Sequence, residues 1–201
     1  ALGDERLYAL EIAAQVLAGG KGSRLHRRLV REDRIAQDVA IFLLPFVSGP
    51  SIFTGWATVR PDATVEAVEA GFLEEVGRLA TEEISEDELQ RAKALIETDE
   101  LGSLQRVSER ADRLSMFATL LDEPDEINRQ LDRYLAVTAA DVRAAAADVL
   151  AEHNRVVLTY LPAGGGAPAE EGVPAEEAGE GGDEGGGPGG PLEDGVTEAQ
   201  P

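Results

Sequence analysis

Between residues 36 and 60 the spacing of the apolar residues changes, and this change does most to limit what the chain can fold into. Upstream, Leu7, Leu10, Ile12, Ala13, Val16 and Leu17 recur at three- and four-residue intervals, the mark of a helix with a broad apolar face. From Ala36 the stretches AQDVAIFLLPFVSG and SIFTGWATVR are rich in Val, Ile, Phe, Trp and Thr, and Gly49-Pro50 divides them. β-branched and aromatic residues in two short runs around a turn predict an antiparallel hairpin. A further strand is read at residues 155–162, and strands at both ends with helices between them indicate helices covering one sheet face. The expected fold class is therefore α+β, a two-layer sandwich with an antiparallel sheet covered on one face.

Helix-start signals order the rest. Gly19-Gly20 ends the first helix, and Ser23 is placed to cap a second over about 24–33. Pro61 to Thr64 leads into a helix over about 65–82. Ser85 followed by Glu88 forms a capping box ahead of a long apolar-periodic run, about 86–121, in which Gly102 is the expected bend or break. Pro124 sets off a shorter helix over about 125–134, and Thr138 caps another reaching about 150. The β-branched run RVVLTYLP, residues 155–162, predicts a final strand. Three strands make a thin sheet for so many helices, so a further strand is expected upstream of Ala1.

Composition divides the chain. From Gly164 to Pro201 there are 13 Gly, 5 Pro and 10 acidic residues and no Lys or Arg. Such a segment buries too little apolar surface to offset the entropy of ordering it. Residues 1–162 are expected to be the folded domain, and 163–201 a disordered acidic tail. The tail holds nearly half of the net charge of −21, and the folded part is acidic as well. A broadly basic face for nucleic acid is excluded on that balance, and docking on an anionic membrane is disfavoured. The longest apolar run, residues 39–47, is far short of the roughly 18–20 residues of a membrane span.

AGGKGSRLHRRLVRED, residues 18–33, invites a phosphate-loop reading that its residue order rejects. That loop needs Lys directly before Ser or Thr after a strand; here Gly22 follows Lys21, and the preceding element is helical. A corner between two helices fits better. On an α-helical wheel Arg24, Arg27, Arg28 and Arg31 share one face, which reads either as a solvated face paired with acids such as Glu32 and Asp33 or as a contact surface for an acidic group. His26 and His153 are the only histidines, there is no cysteine, and neither His-Glu-x-x-His nor Gly-x-Ser-x-Gly occurs. No catalytic residue, metal ligand or resident cofactor is expected in this segment.

Four stretches in register resemble the C-terminal half of the insulinase/pitrilysin family of zinc metallopeptidases, in its mitochondrial-processing-peptidase-like branch. They are YALEIAAQVLAGGKGSRLHRRLVRED at 8–33, ISEDELQRAKALIETDE at 84–100, YLAVTAADVRAAAADVL at 134–150 and NRVVLTYLP at 154–162. The resemblance implies one of two similar halves that close as a clamshell. Zinc and its activating Glu are then held by an inverted His-x-x-Glu-His helix in the N-terminal half or a partner subunit. It implies peptide as substrate, and a homologous N-terminal half or partner subunit, in a homo- or hetero-dimer, as partner.

Some members carry, after Gly-x-x-Ser-Arg-Leu, an Arg and seven residues later a Tyr that help bind peptide. Aligning on Val30-Arg31-Glu32 puts the Arg at Arg31 and Asp38 at the Tyr; aligning on the strand puts Gln37 at the Tyr and Val30 at the Arg. The pair is not kept, and Arg31 stands as the substrate-binding candidate. The expected function is the non-zinc half of a zinc endopeptidase, closing the chamber and helping to hold peptide; the alternative is a non-catalytic scaffold or assembly subunit of the same family. The residues leave the compartment open, with a bacterial cytoplasm as the working expectation.

Overall fold

The computed structural model describes residues 4–46 and 49–161, and those up to Thr159 form one compact unit. The expected tail, 163–201, lies outside the described residues.

Helix α1 (Glu5–Ala18) starts at Asp4, whose carboxylate accepts from the Arg6 amide at 2.9 Å. It is buried nearly all round, with Tyr8, Leu10, Ile12, Val16 and Leu17 beside the small Ala9, Ala13 and Ala14. A helix that is apolar on every side belongs in the centre of a fold, and α1 packs against both the sheet and the helices that follow. Gly20, at φ +75°, turns the chain with a backbone that a side chain would oppose. Ser23 does not cap the next helix. It is fully buried, and its hydroxyl donates to the Gly20 carbonyl at 2.8 Å, which closes the corner instead.

After a short α-helical start at Arg24 and Leu25 the chain runs as a π-helix, His26–Glu32. The Asp33 amide reaches back five residues to the Arg28 carbonyl at 2.8 Å, and that of Ile35 reaches six to Leu29 at 2.9 Å. Arg34 sits between these closing bonds at φ +56°, the left-handed position at a helix end that usually goes to glycine.

Strands β1 (Ala36–Leu44) and β2 (Ile52–Val59) pair antiparallel with Val39 opposite Ala57, Ile41 opposite Gly55 and Leu43 opposite Phe53. These residues face the helices, with Phe72 of α2 (Val65–Thr81) resting over Gly55. Opposite register pairs, Ala40 with Trp56, Phe42 with Thr54 and Leu44 with Ile52, fall on the other face. The hairpin and the one-sided helical cover are as the apolar spacing predicts, and the α+β class holds.

Helix α3 (Glu86–Gln105) begins at the complete Ser85–Glu88 capping box. It ends at Arg106, whose extended backbone (φ −85°, ψ 123°) separates it from α4 (Val107–Leu121). The expected break at Gly102 is therefore four residues early; Gly102 stays helical because one glycine costs a helix only about 1 kcal/mol. A 3-10 turn (Pro124–Asn128) and α5 (Gln130–Ala136) replace the single expected helix after Pro124. The Lys93 ammonium, buried on α3, donates to the Leu135 carbonyl in the last turn of α5 at 2.7 Å. Helix α6 (Ala139–Val149) starts at a second capping box, Thr138 with Asp141.

Residues 155–161 form no strand, contrary to the reading of RVVLTYLP. Val156 and Leu158 are 85% and 72% exposed. A strand exists only in a hydrogen-bonded ladder, and among the described residues β1 and β2 pair with each other alone. Propensity without a partner leaves the segment irregular.

Candidate functional site

The arginines of the GSRLHRRLVRED stretch do not share one face, because π-helical winding departs from the 3.6-residue spacing of an α-helix. Arg24 is buried and donates to Glu88 from Nε and Nη2 at 2.7 and 2.8 Å. Arg28 reaches α2, meeting Glu74 at 2.6 Å and Glu75 at 3.1 Å, with Asp33 at 3.6 Å. Glu75 is itself buried and accepts a further bond from Arg78 at 3.3 Å. Hydrogen bonding to Glu74 and Glu75 raises the Arg28 pKa despite partial burial. These residues bolt the π-helix to α2 and α3 and are structural.

Arg27 and Arg31 remain exposed. Arg27 lies 3.9 Å from Glu32, and Arg31 has no ion-pair partner among the described residues. Arg34 is also exposed, and the amide of Arg60 donates to the Ile35 carbonyl next to it at 3.0 Å. Arg31 and Arg34 thus stand exposed, without an ion pair among the described residues, where the π-helix enters β1. Just beyond, the pairing register shifts between Ala36 and Asp38, so Gln37 sits in a bulge. Gln37 and Asp38, the two positions that alignment brings to the expected Tyr, are both exposed at the start of β1.

From that corner the uncovered sheet face extends. Phe42 and Trp56 meet edge to face with ring centroids 5.6 Å apart, and Leu44 and Ile52 continue the surface. Phe42, Leu44, Ile52 and Trp56 are 36–56% exposed. Sequence reasoning found the strands but not this face, although the signal was present: an outward register that alternates apolar residues where water would select polar ones.

The histidines cannot be combined into a metal centre. His26 lies on the π-helix, its Nδ1 buried without a hydrogen-bond partner, while His153 lies in a 3-10 turn (Glu152–Asn154). Among the described residues no three His, Asp or Glu side chains are grouped to hold a metal ion. The described residues do not fit a zinc site.

Two open cavities flank α1. The larger, about 450 Å³, lies between Tyr8, Arg133, Val137 and Asp141. The smaller, about 310 Å³, runs from Leu7 and Tyr8 past Glu11 to Leu43, Phe117 and Tyr134.

Residues 1–96, covering α1, the glycine corner, the sheet, α2 and the first half of α3, match the family described as the peptidase M16 inactive domain. The chain is similar, at 26% identity over 147 residues, to an uncharacterised zinc protease of Streptomyces coelicolor; the match takes in 73% of this chain and 32% of the relative. Among solved structures it resembles the inactive peptidase domain of a protein described as a zinc protease from Bordetella parapertussis, with TM-score 0.73 and 24% identity over 81% of this chain and 87% of that one. A protease from Helicobacter pylori gives TM-score 0.66 at 22% identity over 74% of this chain and 35% of its own. The chain spans about a third of the length of the curated relative it matches.

Proposed function

We propose that this chain is the non-zinc half of a two-half zinc endopeptidase. It closes the chamber opposite the metal and holds extended peptide along its sheet, with Arg31 at the entry of β1 taking an acidic group of that peptide. The observation that carries the reading is the uncovered sheet face. Four large apolar side chains stand open on the side away from the helices, and a contiguous exposed apolar surface marks a binding site. The two-stranded sheet offers peptide main chain the unpaired groups of its edges, the chemistry of strand addition.

In this division of labour the other half would hold zinc, whose chemistry there would be to activate the attacking water. This chain positions and does not react. Phe42 and Trp56 take apolar side chains of the peptide, the strand edge takes its amides, and packing against the sheet excludes water from the bound segment. Binding energy of this kind lowers KM and leaves the chemical step to the partner.

The test uses the full-length protease with a flexible fluorogenic peptide. Trp56→Ala and Phe42→Ser are expected to raise KM several-fold with zinc content unchanged. Wild-type KM and kcat in both variants overturn the reading and favour a scaffold role.

A further inference from the structure

The smaller cavity holds an acid, Glu11, that makes no ion pair among the described residues, although the charge of Arg113 acts on it from a distance. Glu11 points from α1 to its floor, where the Tyr134 hydroxyl donates to Oε2 at 2.7 Å. Among the described residues no Lys, Arg or His lies within ion-pair reach of Glu11. The other charges around the cavity are matched. Arg113 is bidentate to Glu100, with Nη2 on Oε1 at 2.9 Å, and Asp4 is held by Arg6 at 2.6 Å. In the larger cavity Arg6, Arg133 and Asp141 are committed to Asp148, Glu126 and the Thr138 cap, and Glu5, which makes no ion pair, is exposed.

The walls of the smaller cavity are of another kind. Leu7, Leu43, Met116 and Phe117 line it from α1, β1 and α4, with Pro45 just after β1. Tyr8 and Tyr134 stack edge to face beside Glu11, with ring centroids 4.9 Å apart. A cavity with apolar walls and one carboxylate, among three, that makes no ion pair and lies beside two aromatic rings suits a long aliphatic stem with a cationic head. The rings add cation–π attraction, and the stem buries its methylenes as lysine and arginine stems do. A bare metal ion is a poor match, because the carboxylates around the cavity are not grouped as ligands. Burial, only partly offset by the Tyr134 bond, pushes the Glu11 carboxyl above its ordinary range, as expected of an acid awaiting a counter-charge.

We propose that this cavity binds an alkylammonium or alkylguanidinium group, the side chain of a lysine or arginine on a peptide or on the zinc-bearing half, with Glu11 as its counter-ion. The site is separate from the open sheet face and does not rest on the function assigned to that face.

The test titrates the full 201-residue chain with Nα-acetyl-lysine methylamide and with its neutral isostere Nα-acetyl-norleucine methylamide, followed by methyl NMR of Leu7, Leu43 and Met116. The lysine compound is expected to shift these signals saturably, and the norleucine compound to bind at least tenfold more weakly. Glu11→Gln keeps an acceptor for the Tyr134 hydroxyl and so preserves the fold, yet is expected to lose at least tenfold in lysine affinity. Equal binding of the two compounds, unchanged affinity in Glu11→Gln, or no shift at all overturns the proposal. In the full-length protease, a Glu11→Gln effect confined to KM for lysine-containing peptides identifies the peptide as the source. Weakened association of the two halves identifies the partner; neither effect, with lysine still bound by the isolated chain, overturns both sources.

Discussion

Arg24 and Glu88 are 64 residues apart in sequence and meet in two parallel hydrogen bonds, at 2.7 and 2.8 Å. The same Glu88 carboxylate accepts from the Ser85 amide at 3.0 Å and so starts α3. One side chain thus ties the glycine corner to the first turn of a helix from the other half of the domain. Arg24 Nη1 is buried with no other partner, so little is available to compensate if Glu88 is lost.

Glu88→Gln is therefore expected to destabilise the domain by about 3 kcal/mol, the usual result of leaving one buried ion unpaired. For a domain of this size that lowers Tm by roughly 6–12 °C, measurable by circular dichroism. Adding Arg24→Met to Glu88→Gln is expected to recover part of the loss, since the orphaned charge goes with it. A double variant no more stable than the single one would count against the pair as the cause.

Acid should find the same contact. Hydrogen bonding to Arg24 lowers the Glu88 pKa from 4.5 to about 2, and bonding to Arg6 lowers that of Asp4 from 3.8 to about 2. A depressed carboxylate contributes stability that is full above its unfolded pKa and is lost as pH falls towards its folded one. Urea midpoints should then fall between about pH 4.5 and 2, less steeply in Glu88→Gln. Glu11 has the opposite sign: its raised pKa makes stability decline as pH climbs above 4.5 through the folded value. Glu11→Gln should remove that decline.

Two glycines of α2 should respond in opposite directions. A Cβ at Gly71 would stand 2.7 Å from Leu29 Cδ2, where the π-helix crosses, whereas at Gly77 it would meet nothing within 4 Å. Gly71→Ala is expected to cost about 1–3 kcal/mol through overpacking, and Gly77→Ala to add about 0.5–1 kcal/mol through helix propensity. Denaturant midpoints of the two variants decide the matter.

Arg31 touches no ion-pair partner among the described residues, so Arg31→Ala should leave stability within about 0.5 kcal/mol of wild type. If it holds an acidic group of the peptide, the same variant raises KM for acidic peptides and leaves neutral ones alone. Equal effects on both peptide classes would remove Arg31 from the site.

Local signals were legible where the physics is local. Ser85 with Glu88 and Thr138 with Asp141 announce their helices because each cap closes within three residues, and Gly49-Pro50 divides the hairpin where the strands turn. The π-helix was hidden, because its wider winding leaves no mark in composition, and Arg24, in the turn ahead of it, is in the core because its partner Glu88 lies 64 residues away. The strand read into 155–161 shows the converse, since β propensity is conditional on a neighbouring edge. Glu11 and Glu75 carry no local sign of their surroundings, because their partners Tyr134 and Arg28 lie 123 and 47 residues away. The apolar sheet face could be read only once the register showed which of two alternating sets faces outward.

That face has a colloidal consequence. Phe42, Leu44, Ile52 and Trp56 give every molecule a patch that would adhere to its copy, and the net charge of −21 opposes the encounter. Such repulsion is long-ranged only at low ionic strength: the screening length shrinks from about 10 Å at 0.1 M salt to about 3 Å at 1 M. The protein on its own is thus built to stay dispersed in dilute buffer and to self-associate in brine, through the same surface that a bound peptide would cover.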